Sequence, residues 1–238
     1  MTGPLALLGS GEYLPVMDET DRLLLAQARP GKVICLPTAA GSEGEESISY
    51  WMRLGEEHFR ALGADVLSLR LVNRQDALNP SLAETLSQAG IIYFSGGKPN
   101  YLLDVLQNTP AWQAVMDAWQ NGAALAGCSA GAMIMAGSLP DFQAIGLNKK
   151  PAFGLLPGSR ILPHFDRMTV WRGVTLAALQ ALTPKDEYTL GLDEDTALVG
   201  RPGQPWQVMG RQAVHLIRSG QTDSFRAGQT LHLPEHAG

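Results

Sequence analysis

A serine lies between two glycines in the run Gly127-Cys128-Ser129-Ala130-Gly131-Ala132. A Gly-x-Ser-x-Gly core at a sharp strand-to-helix turn pushes the serine hydroxyl out of the backbone as a nucleophile. A hydroxyl attacks a carbonyl well only when a base takes its proton. The chemistry available to this run is therefore acyl-group hydrolysis or transfer, with Ser129 attacking. The flanking glycines permit the strained turn and leave room for a substrate. Ala130 and Ala132 are small enough for the following helix to pack tightly beneath it. The amide of Ala130 falls at the N-terminus of that helix and is a natural oxyanion donor. A second donor is expected near Gly97, in the Gly96-Gly97 pair, where missing side chains expose backbone amides.

The base must come from elsewhere in the chain, and there are five histidines. His58 lies within an amphipathic helical pattern and reads as a surface or boundary residue. His215 falls in a C-terminal strand, and His232 and His236 lie near the tail. His164 follows Ile161-Leu162-Pro163 and precedes Phe165-Asp166-Arg167, a strand-to-loop junction like that of Ser129. It is the expected base. An acid should orient its imidazole through the other ring nitrogen. Asp141, in the loop after the serine helix, is the first choice; Asp166 is too near its own histidine in sequence to reach around it. The run Asp193-Glu194-Asp195 could instead supply that carboxylate or bind substrate, with Glu194 the expected substrate contact. Cys128 would point the opposite way from Ser129, into the fold, and reads as a packing residue.

The elements that must hold these residues follow from the hydrophobic pattern. Apolar runs at 5–8, 33–36, 66–69, 91–94 and 123–126 read as strands. Helical patterns at 15–28, 45–62, 81–88 and 110–120 separate them. Continuous apolar strands alternating with helices predict an α/β fold in three layers, a mostly parallel sheet with helices on both faces. Ligands bind such sheets at the carboxyl ends of the strands. That rule gathers the loop Gly9-Ser10-Gly11-Glu12, the loop Ser95-Gly96-Gly97-Lys98 and the Ser129 turn on one rim. After about residue 189, short strands and turns at Arg201-Pro202-Gly203 and Ser219-Gly220 predict a C-terminal antiparallel extension of the sheet. With no repeat, low-complexity tract or linker, residues 1–238 are expected to form one domain.

Composition narrows the function classes. A net charge of −5 gives no basic footprint for nucleic acid. No apolar run is long enough for a membrane span, and Leu5-Ala6-Leu7-Leu8 is too short for a signal core. The two cysteines, Cys35 and Cys128, make no disulfide framework and read as reduced thiols of a cytoplasmic protein. No cysteines and histidines have metal-ligand spacing.

Taken together, Ser95-Gly96-Gly97, the Gly-x-Ser-Ala-Gly-Ala run at 127–132, Pro163-His164-Phe165 and the segment from Gly191 through Glu194 to Leu198 resemble the serine peptidases of family S51. That family holds the aspartyl dipeptidases (peptidase E) and the cyanophycinases. The resemblance runs over nearly the whole chain. It implies a class I glutamine amidotransferase-like fold with serine in place of cysteine, Ser129 as nucleophile, His164 as base, and no metal or organic cofactor. The departures fall in the substrate pocket. Lys98-Pro99 stands where peptidase E has an asparagine and cyanophycinases an Asp-Gln pair, and Leu162-Pro163 stands where cyanophycinases have Asp-Gln. Lys98, Arg167 and Arg172 supply cations near the rim, and a guanidinium such as that of Arg167 selects carboxylates bidentately. The expected activity is hydrolysis of small peptides with an N-terminal or isopeptide-linked aspartyl residue. Amide hydrolysis or transfer on a non-peptide substrate, or a non-catalytic binding role, are the alternatives. The expected partner is a small peptide, with no nucleic acid or membrane; homodimer formation is left open.

Overall fold

The computed structural model describes residues 1–140, 149–171 and 175–234. The first half of the chain runs β1 (Leu5–Leu8), α1 (Asp18–Gln27), β2 (Val33–Leu36), α2 (Glu45–Ala61), β3 (Val66–Ser68), α3 (Arg74–Ala77), α4 (Pro80–Ser87), β4 (Ile91–Phe94), α5 (Pro99–Leu106) and α6 (Pro110–Gln120). Then come β5 (Ala124–Cys128), α7 (Ala130–Met133), β6 (Ser138–Pro140), β7 (Lys149–Pro151), β8 (Ser159–Leu162), α8 (Phe165–Trp171) and α9 (Leu176–Leu182). The chain closes with β9 (Tyr188–Leu192), β10 (Thr196–Gly200), β11 (Trp206–Gly210), β12 (Ala213–Arg218), β13 (Gln221–Arg226) and β14 (Thr230–Leu231).

Eight strands form the central sheet, in the order β14-β11-β10-β1-β5-β4-β2-β3. From β1 to β3 all pairings are parallel; β10, β11 and β14 add on antiparallel. Strands β1, β2, β4 and β5 are buried throughout, because helices cover both faces. The pleat sends alternate side chains to opposite layers. Leu5, Leu7, Ile34, Leu36, Ile92 and Phe94 pack with Leu86, Leu102 and Val115 of α4, α5 and α6. Ala6, Leu8, Val33, Cys35, Ile91 and Tyr93 pack with Leu24 of α1 and Phe59 of α2.

The C-terminal strands depart from a simple extension of the sheet. Strands β10, β11 and β14 do extend it, but β9, β12 and β13 join β8 in a second sheet of order β13-β12-β9-β8. Within it β8 and β9 are parallel, in the register Leu162 to Gly191. The chain crosses from β9 of one sheet to β10 of the other through residues 193–195, a tight passage in which Asp195 takes φ +54°. Local periodicity carries no information about which sheet a strand joins. The helices α3 and α5 are also additions to the sequence-derived element list.

This topology sets the rim. Parallel strands β1, β2, β4 and β5 all end on it, whereas antiparallel β10 begins there, since Leu8 pairs with Ala197. Residues 193–195 therefore reach the same rim as Ser129.

Candidate active site

Ser129 follows β5 directly, with φ +49° and ψ −106°. A non-glycine residue held there carries about 1–3 kcal/mol of strain. The turn is fixed by Ser129 N–H donating to the Leu8 carbonyl of β1 at 3.0 Å and by Met133 N–H donating to the Ser129 carbonyl at 3.0 Å. The flanking glycines are required by close approach. A methyl group on Gly127 would stand 2.3 Å from the Gly131 carbonyl carbon, and one on Gly131 would stand 2.5 Å from the Phe94 carbonyl oxygen. Strand β5, helix α7 and strand β4 meet backbone to backbone.

His164 leaves the end of β8 with φ +50° and opens α8. Its Nε2 lies 3.3 Å from Ser129 Oγ and its Nδ1 lies 3.0 Å from Glu194 Oε1. For the hydroxyl to donate to Nε2, the neutral ring must carry its proton on Nδ1, which then donates to Glu194. Glu194 is held on several sides. Arg167 Nε donates to its Oε2 at 3.2 Å, its backbone N–H donates to Asp166 Oδ1 at 2.9 Å, and Gln212 Nε2 donates to its carbonyl at 3.0 Å. The imidazole and this carboxylate are part-buried.

Gly96 N–H donates to Glu12 Oε1 at 2.8 Å. The next amide, of Gly97, and that of Ala130 have no acceptor among the described residues. Gly97 adopts φ +142° with Ala39 against its Cα, where a methyl would lie 2.5 Å from backbone atoms. Only glycine fits that position.

The cleft beside Ser129, of about 760 Å³, is also lined by His164, Glu194, Lys98, Ser42, Tyr101, Met133 and Met168. Lys98 Nζ donates to Ser42 Oγ at 3.2 Å and has no carboxylate partner among the described residues. Arg167, by contrast, is tied to Glu194 and has Asp166 Oδ2 3.6 Å from its Nε. Asp141 and Arg172 lie outside the described residues, as does His236.

Two other histidines are tied into the structure away from Ser129. His58, expected at the surface or a boundary, is buried, and its Nε2 lies 2.7 Å from Asp21 Oδ2, a bond that ties α2 to α1. Burial pushes the Asp21 carboxyl up, partly opposed by the His58 bond. His215 bonds Asp193 and Ser224.

Cys128 points into the fold as its place beside Ser129 predicts, and it is engaged there: Sγ–H donates to Glu12 Oε2 at 2.8 Å. Burial, with Glu12 as the next cause, pushes its thiol well above the ordinary value, so it stays protonated and non-nucleophilic. Glu12 was not singled out among candidate residues in the sequence, although its loop was placed on the rim. The available signal was a lone carboxylate one residue beyond a Gly-x-Gly turn after a buried strand. Among the described residues no three His, Cys, Asp or Glu side chains are grouped to hold a metal ion, and no helix is long and apolar enough to cross a membrane.

Comparison with known proteins bears on this geometry. No curated protein matches the sequence. A crystal structure of a peptidase from an acI-B1 Actinobacterium is 38% identical, covers 98% of each chain and superposes with a TM-score of 0.88. A candidate peptidase E protein from Listeria monocytogenes EGD-e is 19% identical over 88% of this chain and 99% of its own, with a TM-score of 0.63, and shares the fold. The sequence model for peptidase family S51 matches residues 5–204, a span that holds Ser129, His164 and Glu194. This chain belongs to peptidase family S51.

Proposed function

We propose that this protein is a serine peptidase that cleaves small peptides by an acyl-enzyme route, with Ser129 as nucleophile, His164 as base and Glu194 as the orienting acid. The observation that carries the reading is the continuous chain Ser129 Oγ to His164 Nε2, and His164 Nδ1 to Glu194 Oε1. Attack of Oγ on the scissile carbonyl passes its proton to Nε2. The imidazolium so formed is stabilised by Glu194 and returns the proton to the leaving amine. The amides of Gly97 and Ala130 hold the oxyanion. Water then attacks the acyl carbon as His164 takes its proton, and His164 gives that proton to Oγ as the bond from the acyl carbon to Oγ breaks.

Lys98 in the cleft favours a substrate carboxylate, and an aspartyl side chain, N-terminal or isopeptide-linked, is the proposed feature. Arg167 acts on Glu194 in this reading and contributes charge from behind. Two buried, unpaired thiols fit a reducing, cytoplasmic compartment.

The test combines Ser129→Ala with a panel of Asp-Xaa dipeptides, β-aspartyl dipeptides and glutamine. The wild type should turn over one of the aspartyl classes and be labelled at Ser129 by a fluorophosphonate, read by mass spectrometry. The variant should be folded and lose turnover by about 10³-fold or more. Wild-type turnover in the variant overturns the reading, and turnover of glutamine alone moves it to a non-peptide amide.

A further inference from the structure

Glu12 has no part in the proton path, yet it is buried at 7% exposure immediately behind it. It follows β1 by one short loop and reaches across to two other strands. One carboxylate oxygen accepts from Gly96 N–H, on the loop that ends β4; the other accepts from Cys128 Sγ–H, the last residue of β5 before the nucleophile. Since β1, β5 and β4 are consecutive in the sheet, this one side chain joins the loops at the ends of three neighbouring strands. The loop it holds lies beside the nucleophile: a methyl added to Gly96 would stand 3.0 Å from Glu12 Oε1 and 3.6 Å from Ser129 Cβ.

The consequence falls on Gly97. The peptide before it is fixed by Glu12, and the peptide after it is fixed by Lys98 N–H donating to the Ala39 carbonyl at 2.9 Å. The Gly97 amide thus stands between two anchored peptides with no acceptor of its own among the described residues. Oxyanion donors act through preorganised placement, and a displacement of about 1 Å can cost on the order of 100-fold in rate. We propose that Glu12 is a positioning residue: its carboxylate clamps the Gly96-Gly97 loop to the nucleophile turn and sets where the Gly97 amide stands relative to Ser129. This rests on the serine-peptidase reading above.

The test separates reach from charge. Glu12→Gln keeps the length and an acceptor oxygen for Gly96. Glu12→Asp keeps the charge but is one methylene too short to hold both donors, and Glu12→Ala removes both bonds. The readout is fluorophosphonate labelling of Ser129 under saturating conditions. Oγ bonds to phosphorus, fluoride leaves and His164 takes the proton, so the phosphoryl oxygen needs the same donors as a peptide oxyanion. The maximal labelling rate should fall about 10- to 100-fold in the Asp and Ala variants, with the half-saturating concentration unchanged. The Gln variant should recover most of the rate. Should the Ala variant not fold, the Asp and Gln pair decides. Wild-type rates in folded Asp variant overturn the proposal, and so does a loss in Gln as deep as in Asp, which would place the role on charge. Failure of the wild type to label at all overturns the serine-peptidase reading instead, so the two failures are distinguishable.

Discussion

Three acidic residues stand in a row at 193–195, and the structure gives each a different partner. Asp193 accepts from Ala213 N–H and His215, Asp195 pairs with Arg211, and only Glu194, between them, faces His164. The three residues lie in the turn between β9 and β10, with Asp195 at φ +54°, and that turn presents the middle residue to the cleft. Replacement by Glu194→Gln keeps the shape while removing the charge proposed to stabilise the imidazolium. The variant should lose about 10²- to 10⁴-fold in kcat with KM little changed, measured on whichever aspartyl peptide the wild type cleaves. Asp141→Asn measured beside it should stay within a few-fold of wild type; the reverse pattern would return the acid to Asp141. The strand-to-helix turn at Ser129 was legible in the sequence because it needs small residues at fixed offsets, and the place of His164 beside it because that residue ends an apolar run. The partner of His164 was narrowed only to Asp141 or the run 193–195, since the contact between residues 164 and 194 depends on strand pairing and leaves no local mark. Glu12 escaped for the same reason, both its partners being more than 80 residues away.

At the scale of elements, the pairing of β8 with β9 assembles the candidate triad. Both strands run the same way and end level, so His164 and Glu194 emerge side by side, and the antiparallel start of β10 brings them to the rim where β5 delivers Ser129. Helix α8 is seated by Phe165, which lies over Gly191 of β9. A methyl on Gly191 would stand 2.6 to 2.9 Å from the carbons of that ring. Gly191→Ala should therefore push Phe165, and with it the adjoining His164, away from the strand. Overpacking of this kind costs about 1–3 kcal/mol, seen as a lowered melting temperature, and kcat should fall roughly 10-fold or more as His164 moves off Ser129. A smaller partner, Phe165→Leu, added to Gly191→Ala should recover part of both; a melting shift with unchanged kcat would mean that the strain relaxes away from His164. The four fully buried parallel strands were plain in the sequence because burial on both faces leaves continuous apolar runs. Helix α5 was hidden by its start at Pro99-Asn100 after the Gly-Gly pair, which reads as loop, even though Leu102, Leu103, Val105 and Leu106 are buried along it. The second sheet was hidden because β8 and β9 are joined by two helices, and the pattern of each strand alone is compatible with either sheet.

Across the whole molecule, the layer beneath the nucleophile turn is built from titratable side chains that are kept neutral. Tyr13 and Tyr93 pack with ring centroids 4.8 Å apart, with Phe59 against both and Cys35 and Cys128 in the same core. Burial is the largest cause holding the Tyr13, Tyr93, Cys35 and Cys128 acidities well weaker than usual. In the second sheet burial pushes the Tyr188 hydroxyl up to about 12. All five shifts share one sign. The unfolded chain loses these protons near the ordinary thiol and phenol values of about 8.5–10, whereas the folded chain keeps them. Their contribution to stability is therefore complete below that range and is lost as pH rises through it toward the folded values. Each proton released on unfolding tilts stability by about 1.4 kcal/mol per pH unit. Thermal melts from pH 7 to 12 should show this group contribution constant to about pH 8 and then falling more steeply with each unit. The tyrosinate absorbance of Tyr13 and Tyr93 should emerge together with loss of the circular dichroism signal. Tyr93→Phe removes one of the five protons and should make the alkaline fall shallower by about one proton's slope. If those tyrosines instead ionised while the dichroism stayed native, the layer would admit charge without unfolding. The thiol beside Ser129 would then lose its claim to be inert, because burial is what keeps Cys128 protonated.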